Sequence, residues 1–494
     1  MNTVYHPTKE EFIRKTKEGN LIPVYKEILA DMETPVSAMR KLAESDFSFL
    51  LESVEGGENL GRYSFLAADP SIIFKSKRRE IDLIYQNNEE TFNVENSALD
   101  ALRKLMGHFK LVPDPSLPPF IGGAVGYVSY DEIRSIESRI PDGNPDDLNL
   151  PDTFFMITDN LIVFDHVKHR LLLVHNAHIR SDPGKIYEDA IHQIELLHER
   201  LRHPLMNNEP PTSPEPLHFD SNFTEDEFKR IVERAKEYIF AGDAFQIVLS
   251  QRLRTAFQCH TFDIYRALRA INPSPYMFYL KFGGLKLIGS SPEILVKVNG
   301  DGIQIRPIAG TRKRGLNPEE DLFLEKELLA DPKERAEHIM LVDLGRNDCG
   351  RVAQYGTVKV DDLMSIERYS HVMHIVSNVV GTLDPRFDAF DVLKASFPAG
   401  TVSGAPKVRA MEIIDELENV RRGPYAGAVG YFSFSGNLDS CITLRTIIAK
   451  GDVAYIQAGA GIVADSIPEN EYQETLNKAR GMLRAIELAQ GGLE

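Results

Sequence analysis

Residues 276–289 read YMFYLKFGGLKLIG, two apolar runs joined by Gly283-Gly284. A two-residue glycine connection between β-type runs closes a hairpin, so the runs pair antiparallel. The pattern repeats at once. ILVKV (294–298) and IQIRPI (303–308) flank Asn299-Gly300-Asp301-Gly302, and AVGYFSF (428–434), CITLRTIIA (441–449) and VAYIQAG (453–459) add further strands. Helical patterns lie between them, at 319–330, 332–344, 388–396, 407–418 and 468–488. Strands in neighbouring hairpins with helices clustered separately define an α+β class rather than a doubly wound sheet.

Outward from this block, Phe223 and Phe228 can staple a helix that Thr224 and Glu227 close with a capping box. It runs to about Phe240, stops near Gly242, and hands over to the strand FQIVLSQRL. Before it, residues 203–221 hold five prolines and almost no periodicity, the composition of a linker. The first half is expected to carry a helical segment and an extended LIPVYKEIL within 8–30, strands at 47–53 and 61–70, and β-type alternation over 71–94. A helix is expected at 97–109, a glycine-spaced strand in IGGAVGYVSYDEI (121–133), a hairpin over 153–175 around Asp165–His169, and a helix at 187–202. IGGAVGYVSYDEI echoes YAGAVGYFSFSGNL (425–438). Two strands that each need glycine for close packing explain the echo, with an old duplication as the alternative.

The 494 residues suffice for two or three domains. With 56 basic against 73 acidic residues the net charge is −17, which argues against nucleic acid as a partner. Three scattered cysteines show no metal spacing, the N-terminus is too polar for a signal peptide, and no apolar run approaches membrane-spanning length. The expectation is a soluble, cytoplasmic protein.

The most unusual stretch is DPKERAEHIMLVDLGRND (331–348). Asp331 can cap a helix, Pro332 suits its first position, Glu334 fits a capping box, and Gly345 fits just beyond its last turn. Ile339–Val342 is apolar on every side, so the helix is expected to be sunk in the protein. Glu334 and Glu337 share a face of it. They read either as a cap and a solvated acid, or as carboxylates neutralised by a divalent cation. Glu471 and Glu474 have the same spacing on a second helix, opened by a Ser466–Glu469 capping box. Lys478 lies four beyond Glu474 and counts with the substrate contacts. An ordinary solvated face is the competing reading.

GAGIVA (459–464) matches a dinucleotide fingerprint in letters, but its helix restarts only at Ser466. It reads better as a turn whose bare backbone N–H groups receive an anion, with Tyr425 and Arg445 as candidates to complete a carboxylate site. His371 and His374 lack the partners of a zinc site, though one can serve as a base. PIAGTRKRG (307–315) and FPAGTVSGAPK (397–407) are glycine-threonine loops, neither a Walker loop.

SSPEILVKV, PIAGTRKRG, ERAEHIMLVDLGRND, ERYSHVMHIVS, FPAGTVSGAPK, GPYAGAVGY and QAGAGIVADSIPENEYQETLNKA together resemble the chorismate-utilising enzymes. LLES and GRYSFLAADP extend the resemblance through the first half, to the aminating branch that forms anthranilate. It implies a large antiparallel β-sandwich with outer helices: a regulatory, tryptophan-binding region at 1–202, interleaved with a catalytic domain at 222–494. Glu337 and Glu474 match Mg²⁺ ligands, with Glu334 and Glu471 beside them. Tyr425, Arg445 and the Gly459-Ala460-Gly461 backbone match a cradle for the pyruvyl carboxylate, and Gly310 and Thr311 a further substrate contact. Glu293 matches the acid that protonates the departing 4-hydroxyl, a task that needs a raised pKa. His374 matches the base of aromatisation.

Where the isochorismate-forming branch carries lysine, this chain has Gln246, which points to ammonia rather than water. Ala309 stands where para-aminating relatives carry lysine, so ammonia must attack directly. Ser53 with Pro275, Tyr276 and Met277 matches the inhibitory tryptophan site. Ammonia is expected from a separate glutamine amidotransferase subunit in a hetero-oligomer. A para-aminating synthase and a non-catalytic amino-acid sensor are the alternatives.

Overall fold

The computed structural model describes residues 4–42, 44–54, 61–85, 88–205, 217–369 and 372–493. Tyr276–Phe282 and Leu285–Ser291 form the expected hairpin, Leu280 opposite Leu287. It stands in the middle of a 13-stranded sheet whose order is Tyr5–His6, Leu21–Leu29, Arg170–His178, Asn160–Asp165, Tyr63–Ala68, Phe47–Glu52, Tyr276–Phe282, Leu285–Ser291, Thr446–Lys450, Val453–Ile462, Gln246–Ala256 and Phe219–Ser221, with Gly404–Ala405 beside Gln246–Ala256. The second sheet, of 12 strands, runs Ile308–Lys313, Val372–Thr382, Gly302–Ile305, Ile294–Asn299, Leu438–Ile442, Ala428–Ser433, Gly123–Val128, Thr153–Thr158, Ile72–Lys77, Glu80–Tyr85 and Asn88–Asn93, with Lys359–Arg368 on Val372–Thr382. Every pairing between these strands is antiparallel, as the short connections require.

The sheets pack face to face. Along Tyr276–Phe282 the side chains alternate: Phe278, Leu280 and Phe282 enter the core between the sheets, while Met277 and Tyr279 meet the helices on the outer face. Phe154 of one sheet stacks on Phe282 of the other, ring centroids 4.2 Å apart. Burying each such phenylalanine contributes roughly 1.5–3 kcal/mol. The α+β sandwich with outer helices is therefore observed.

Both sheets read the same from either end. Phe47–Glu52 pairs with Tyr276–Phe282 at the centre of one, and Gly123–Val128 with Ala428–Ser433 at the centre of the other, Gly126 opposite Gly430. Outward from these pairs the strands of the first half match those of the second in chain order. The two glycine-spaced stretches that echo one another thus hold matching places in the topology. Glycine is still required there: a Cβ at Gly126 would fall 1.9 Å from the Phe154 carbonyl oxygen, and one at Gly430 2.2 Å from that of Asp439. One break in the symmetry is a long insertion. Between Gly302–Ile305 and Val372–Thr382 the second half carries Ile308–Lys313, the helices Pro318–Ala330 and Pro332–Gly350, and Lys359–Arg368. The matching strands of the first half, Glu80–Tyr85 and Asn88–Asn93, are consecutive.

Two expected strands prove to be two each. CITLRTIIA breaks at Thr443–Arg445, where Leu438–Ile442 in one sheet passes to Thr446–Lys450 in the other. The 153–175 hairpin likewise breaks at Asp159, between sheets. Apolar periodicity continues through both breaks, so the sequence pattern hides them. Thr224 and Glu227 form their capping box and Phe223 meets Phe228 at 6.2 Å. The helix closes on Gly242 at φ 85°. Most of the Pro-rich stretch, 206–216, lies outside the described residues; Phe219–Ser221 at its end is an edge strand. Among the described residues no helix is long and apolar enough to cross a membrane.

Candidate active site

Two of the places where the chain passes from one sheet to the other each carry a candidate residue. Glu293 lies between Leu285–Ser291 and Ile294–Asn299, and Arg445 between Leu438–Ile442 and Thr446–Lys450. The passages run side by side: Ser290 N–H donates to the Arg445 carbonyl (3.2 Å) and Ile442 N–H to the Glu293 carbonyl (3.0 Å). Arg445 takes φ 45°, the left-handed conformation that turns the strand out of one sheet into the next. Burial raises the Glu293 carboxyl above the usual range, against the Thr401 hydroxyl, which donates to it at 2.8 Å, and the charges of Lys478 and Arg445. Thr401 was not among the expected site residues; its place in the glycine-threonine loop FPAGTVSGAPK was the available signal.

Gly459–Gly461 is not a turn. It belongs to the strand Val453–Ile462, with Gly459 opposite Ser250, Ala460 opposite Leu249 and Gly461 opposite Val248. The strand on its other side pairs only as far as Ile456, so bare backbone edge remains beyond that residue by another route than the one expected. A Cβ at Gly459 would lie 2.8 Å from the buried Tyr425 hydroxyl, and one at Gly461 2.6 Å from Gln246 Nε2. The glycines thus admit both side chains to the strand. Lys478 Nζ donates to the Gly459 carbonyl (3.0 Å) and pairs with Glu474 (2.7 Å).

The Pro332–Gly350 helix is capped by Asp331, which accepts from Lys333 N and Glu334 N. Three expectations about it are corrected. Glu334 does not close a capping box: its carboxylate is taken by Arg312 at 3.0 Å. The helix is not sunk, since Ile339 is exposed. Gly345 lies inside it, packed on Pro307, and helix continues to Gly350. On the second acidic helix, Pro468–Gly491, Ser466 makes no cap; its hydroxyl accepts from Val463 N (3.0 Å).

Glu337 accepts from the buried Gln246 amide at 3.0 Å, joining the acidic helix to the strand that faces Gly461. Burial raises the Glu471 carboxyl; Ser466 opposes this, Glu474 adds to it, and Lys333 of the other acidic helix opposes it. The first turns of the two helices therefore feel one another's charge. Among the described residues no three carboxylate, imidazole or thiol groups lie close enough to share one ion. Glu337 and Glu474 offer carboxylate oxygens, donors of the kind a hard cation takes, and each holds a partner here, the Gln246 amide and the Lys478 ammonium.

Gly310, at φ 69°, forms a bulge between Ala309 and Thr311, and Thr311 pairs across the sheet with His374. The His374 Nδ1 lies 3.1 Å from the Gly310 carbonyl and 3.0 Å from the Thr311 hydroxyl. A carbonyl only accepts, so Nδ1 carries the proton and Nε2 the lone pair. Burial first, and then Arg445, lower the imidazole pKa against the Gly310 bond, which keeps the ring neutral. His371 lies outside the described residues.

A separate cavity of about 220 Å³ brings together Ser53, Pro275, Tyr276 and Met277, all four residues expected at the inhibitor site. Phe65 and Tyr431 supply apolar wall, and Glu52, Arg62, Lys297 and Asp439 polar groups that sequence reasoning missed. The Tyr276 hydroxyl donates to Asp439 at 2.9 Å and Lys297 pairs with the same carboxylate at 3.0 Å.

The family model of the chorismate binding enzymes matches residues 54–484. The chain belongs to the chorismate binding enzyme family. This chorismate-binding chain is 51% identical to anthranilate synthase component 1 of Acetivibrio thermocellus, over 98% of its own length and 99% of that protein's. Anthranilate synthase component I from Streptococcus pneumoniae superposes with a TM-score of 0.78 at 39% identity, covering 92% of this chain and 99% of that one. The menaquinone-specific isochorismate synthase of Escherichia coli, at 21% identity and a TM-score of 0.70 over 97% of this chain and 99% of that one, shares the fold of this chorismate-binding enzyme.

Proposed function

We propose that this chain is the large subunit of an anthranilate synthase, adding ammonia to C2 of chorismate with loss of the 4-hydroxyl, then eliminating pyruvate to leave the aromatic ring. The observation that carries amination is Gln246. Its amide nitrogen is committed to Glu337, and its Oε1 is buried with no hydrogen-bond partner among the described residues. That leaves an acceptor for an N–H and no base for water, which is what an ammonia nucleophile asks of the site.

Arg445, Tyr425 and the Gly459–Gly461 edge hold the pyruvyl carboxylate, Gly310 and Thr311 make a further substrate contact, and Lys478 adds positive charge. Glu293, whose carboxyl burial raises above the usual range, gives its proton to the leaving hydroxyl. His374 Nε2 then takes the C2 proton. Glu337 and Glu474 would hold Mg²⁺, which would supply charge neutralisation at the ring carboxylate.

Residues 1–202 form the regulatory part and 222–494 the catalytic part of one shared sandwich, with 203–221 linking them. The 220 Å³ cavity is read as the tryptophan site, indole against Met277 and Tyr431 and the amino-acid head among the charged groups. A glutamine amidotransferase subunit supplies ammonia, and three unpaired thiols suit the cytoplasm. Chorismate with ammonium and Mg²⁺ should yield fluorescent anthranilate, suppressed by tryptophan. Accumulation of a 4-aminobenzoate precursor would overturn the regiochemistry, and undiminished Mg²⁺-dependent turnover by Glu337→Gln or Glu474→Gln would overturn the metal assignment.

A further inference from the structure

Arg422, three residues before Tyr425, is among the largest fully buried side chains of the protein. Its guanidinium grips the Glu418 carboxylate twice, from Nε at 2.9 Å and from Nη2 at 2.6 Å. The remaining donors go to backbone: Nη1 to the Val402 carbonyl at 2.8 Å and Nη2 to the Val248 carbonyl at 2.7 Å. The cation lies 4.6 Å from the Tyr130 ring centroid and 5.7 Å from that of Tyr425. Glu418 in turn accepts from both the backbone N–H and the hydroxyl of Ser250, 2.8 Å each.

Stability alone does not explain such a pair, because an apolar pair of similar volume commonly serves a core as well or better. Its contacts do explain it. Val402 follows Thr401, the residue that bonds Glu293. Val248 is two residues beyond Gln246 on the same strand and faces Gly461, and Ser250 faces Gly459. Tyr425 is reached directly. One guanidinium therefore touches the loop whose Thr401 bonds the acid, the strand that carries the amide and pairs with Gly459–Gly461, and the phenol. Only arginine's planar fork reaches acceptors in so many directions at once.

We propose that Arg422 and Glu418 form a positioning clamp that sets Tyr425, the Thr401 loop and the Gln246–Ser250 strand relative to one another for the reaction. The proposal rests on the assignment of those residues to the active site. Its test separates holding the fold from holding the geometry. Arg422→Met combined with Glu418→Met removes both charges and keeps a filled core. The double variant should melt within a few degrees of the wild type and bind tryptophan normally, yet lose kcat about a hundredfold, the scale of a misplaced catalytic constellation. The alkaline limb of its kcat profile should also move, because Glu293 is tuned by Thr401, whose loop the clamp holds through Val402. Arg422→Lys, which keeps the charge but not the fork, should fold and fall short in kcat if the double variant does not fold. Either variant, folded and with kcat within about threefold of wild type and an unmoved limb, overturns the clamp. Wild-type protein that leaves chorismate unchanged would instead overturn the assignment of the reaction.

Discussion

Thr401→Val removes one contact and almost no volume. The hydroxyl that donates to Glu293 at 2.8 Å is replaced by a methyl group, and the carboxylate loses its one direct hydroxyl partner. A hydrogen bond to a charged group is worth about 1.5–3 kcal/mol. At about 1.4 kcal/mol per unit, losing it raises the Glu293 pKa by about one to two units beyond what burial already achieves. The group acts as an acid only while protonated, so the alkaline limb of kcat should move up by about that interval, on a plateau reduced because the carboxyl is less well aimed. Stability follows the same sign. A carboxyl whose folded pKa is raised binds its proton more tightly in the folded chain, so folding loses stability as pH rises above the unfolded value and on through the folded one. The variant should match wild type at acid pH and fall behind at alkaline pH. The assay is steady-state anthranilate fluorescence across pH, paired with thermal melts at the same pH values. A limb that stays in place, or moves down, refutes the argument that Thr401 tunes the acid.

Three other outcomes are expected. Gly461→Ala places a methyl group 2.6 Å from Gln246 Nε2, the far end of a flexible side chain; it should displace the amide from Glu337 and cut ammonia-dependent kcat about tenfold or more, with the melting temperature little changed. Met277→Ala should weaken tryptophan binding by about tenfold while turnover without tryptophan is kept, and since the chain contains no tryptophan, the emission of added ligand reports binding directly. Lys407→Met strands buried Asp348, now 2.8 Å from the ammonium; it should cost about 3–5 kcal/mol in denaturant titrations at neutral pH. Burial already raises the Asp348 carboxyl, so that deficit should shrink as pH falls and the lone carboxyl protonates.

Local chemistry was legible wherever one residue type answers one local need. Thr224 and Glu227 cap as their spacing requires, and the Gly283-Gly284 turn fixes an antiparallel hairpin. Ser466 looked equally good as a cap, but Val463 N, three residues earlier, claims its hydroxyl in a local turn that competes with the helix start. Glu334 failed as a box because Arg312, twenty-two residues away, offers a stronger partner than a helix terminus. The passage at Arg445 was hidden because a strand that changes sheets keeps its apolar alternation and changes only its hydrogen-bonding neighbours. Arg445 at φ 45° marks the change in the backbone and nowhere in the residue pattern.

The palindromic sheets also say something about control. The tryptophan-type cavity is lined by Ser53 from one half and by Tyr276, Met277 and Tyr431 from the other, next to the central strand pair where the copies meet. Two of its walls, the strands bearing Lys297 and Asp439, run directly into the passages of Glu293 and Arg445. Only one copy carries the acidic insertion and so has chemistry to lose. A ligand seated there would touch strands of both halves at once, much as a ligand at the interface of a symmetric dimer touches both subunits.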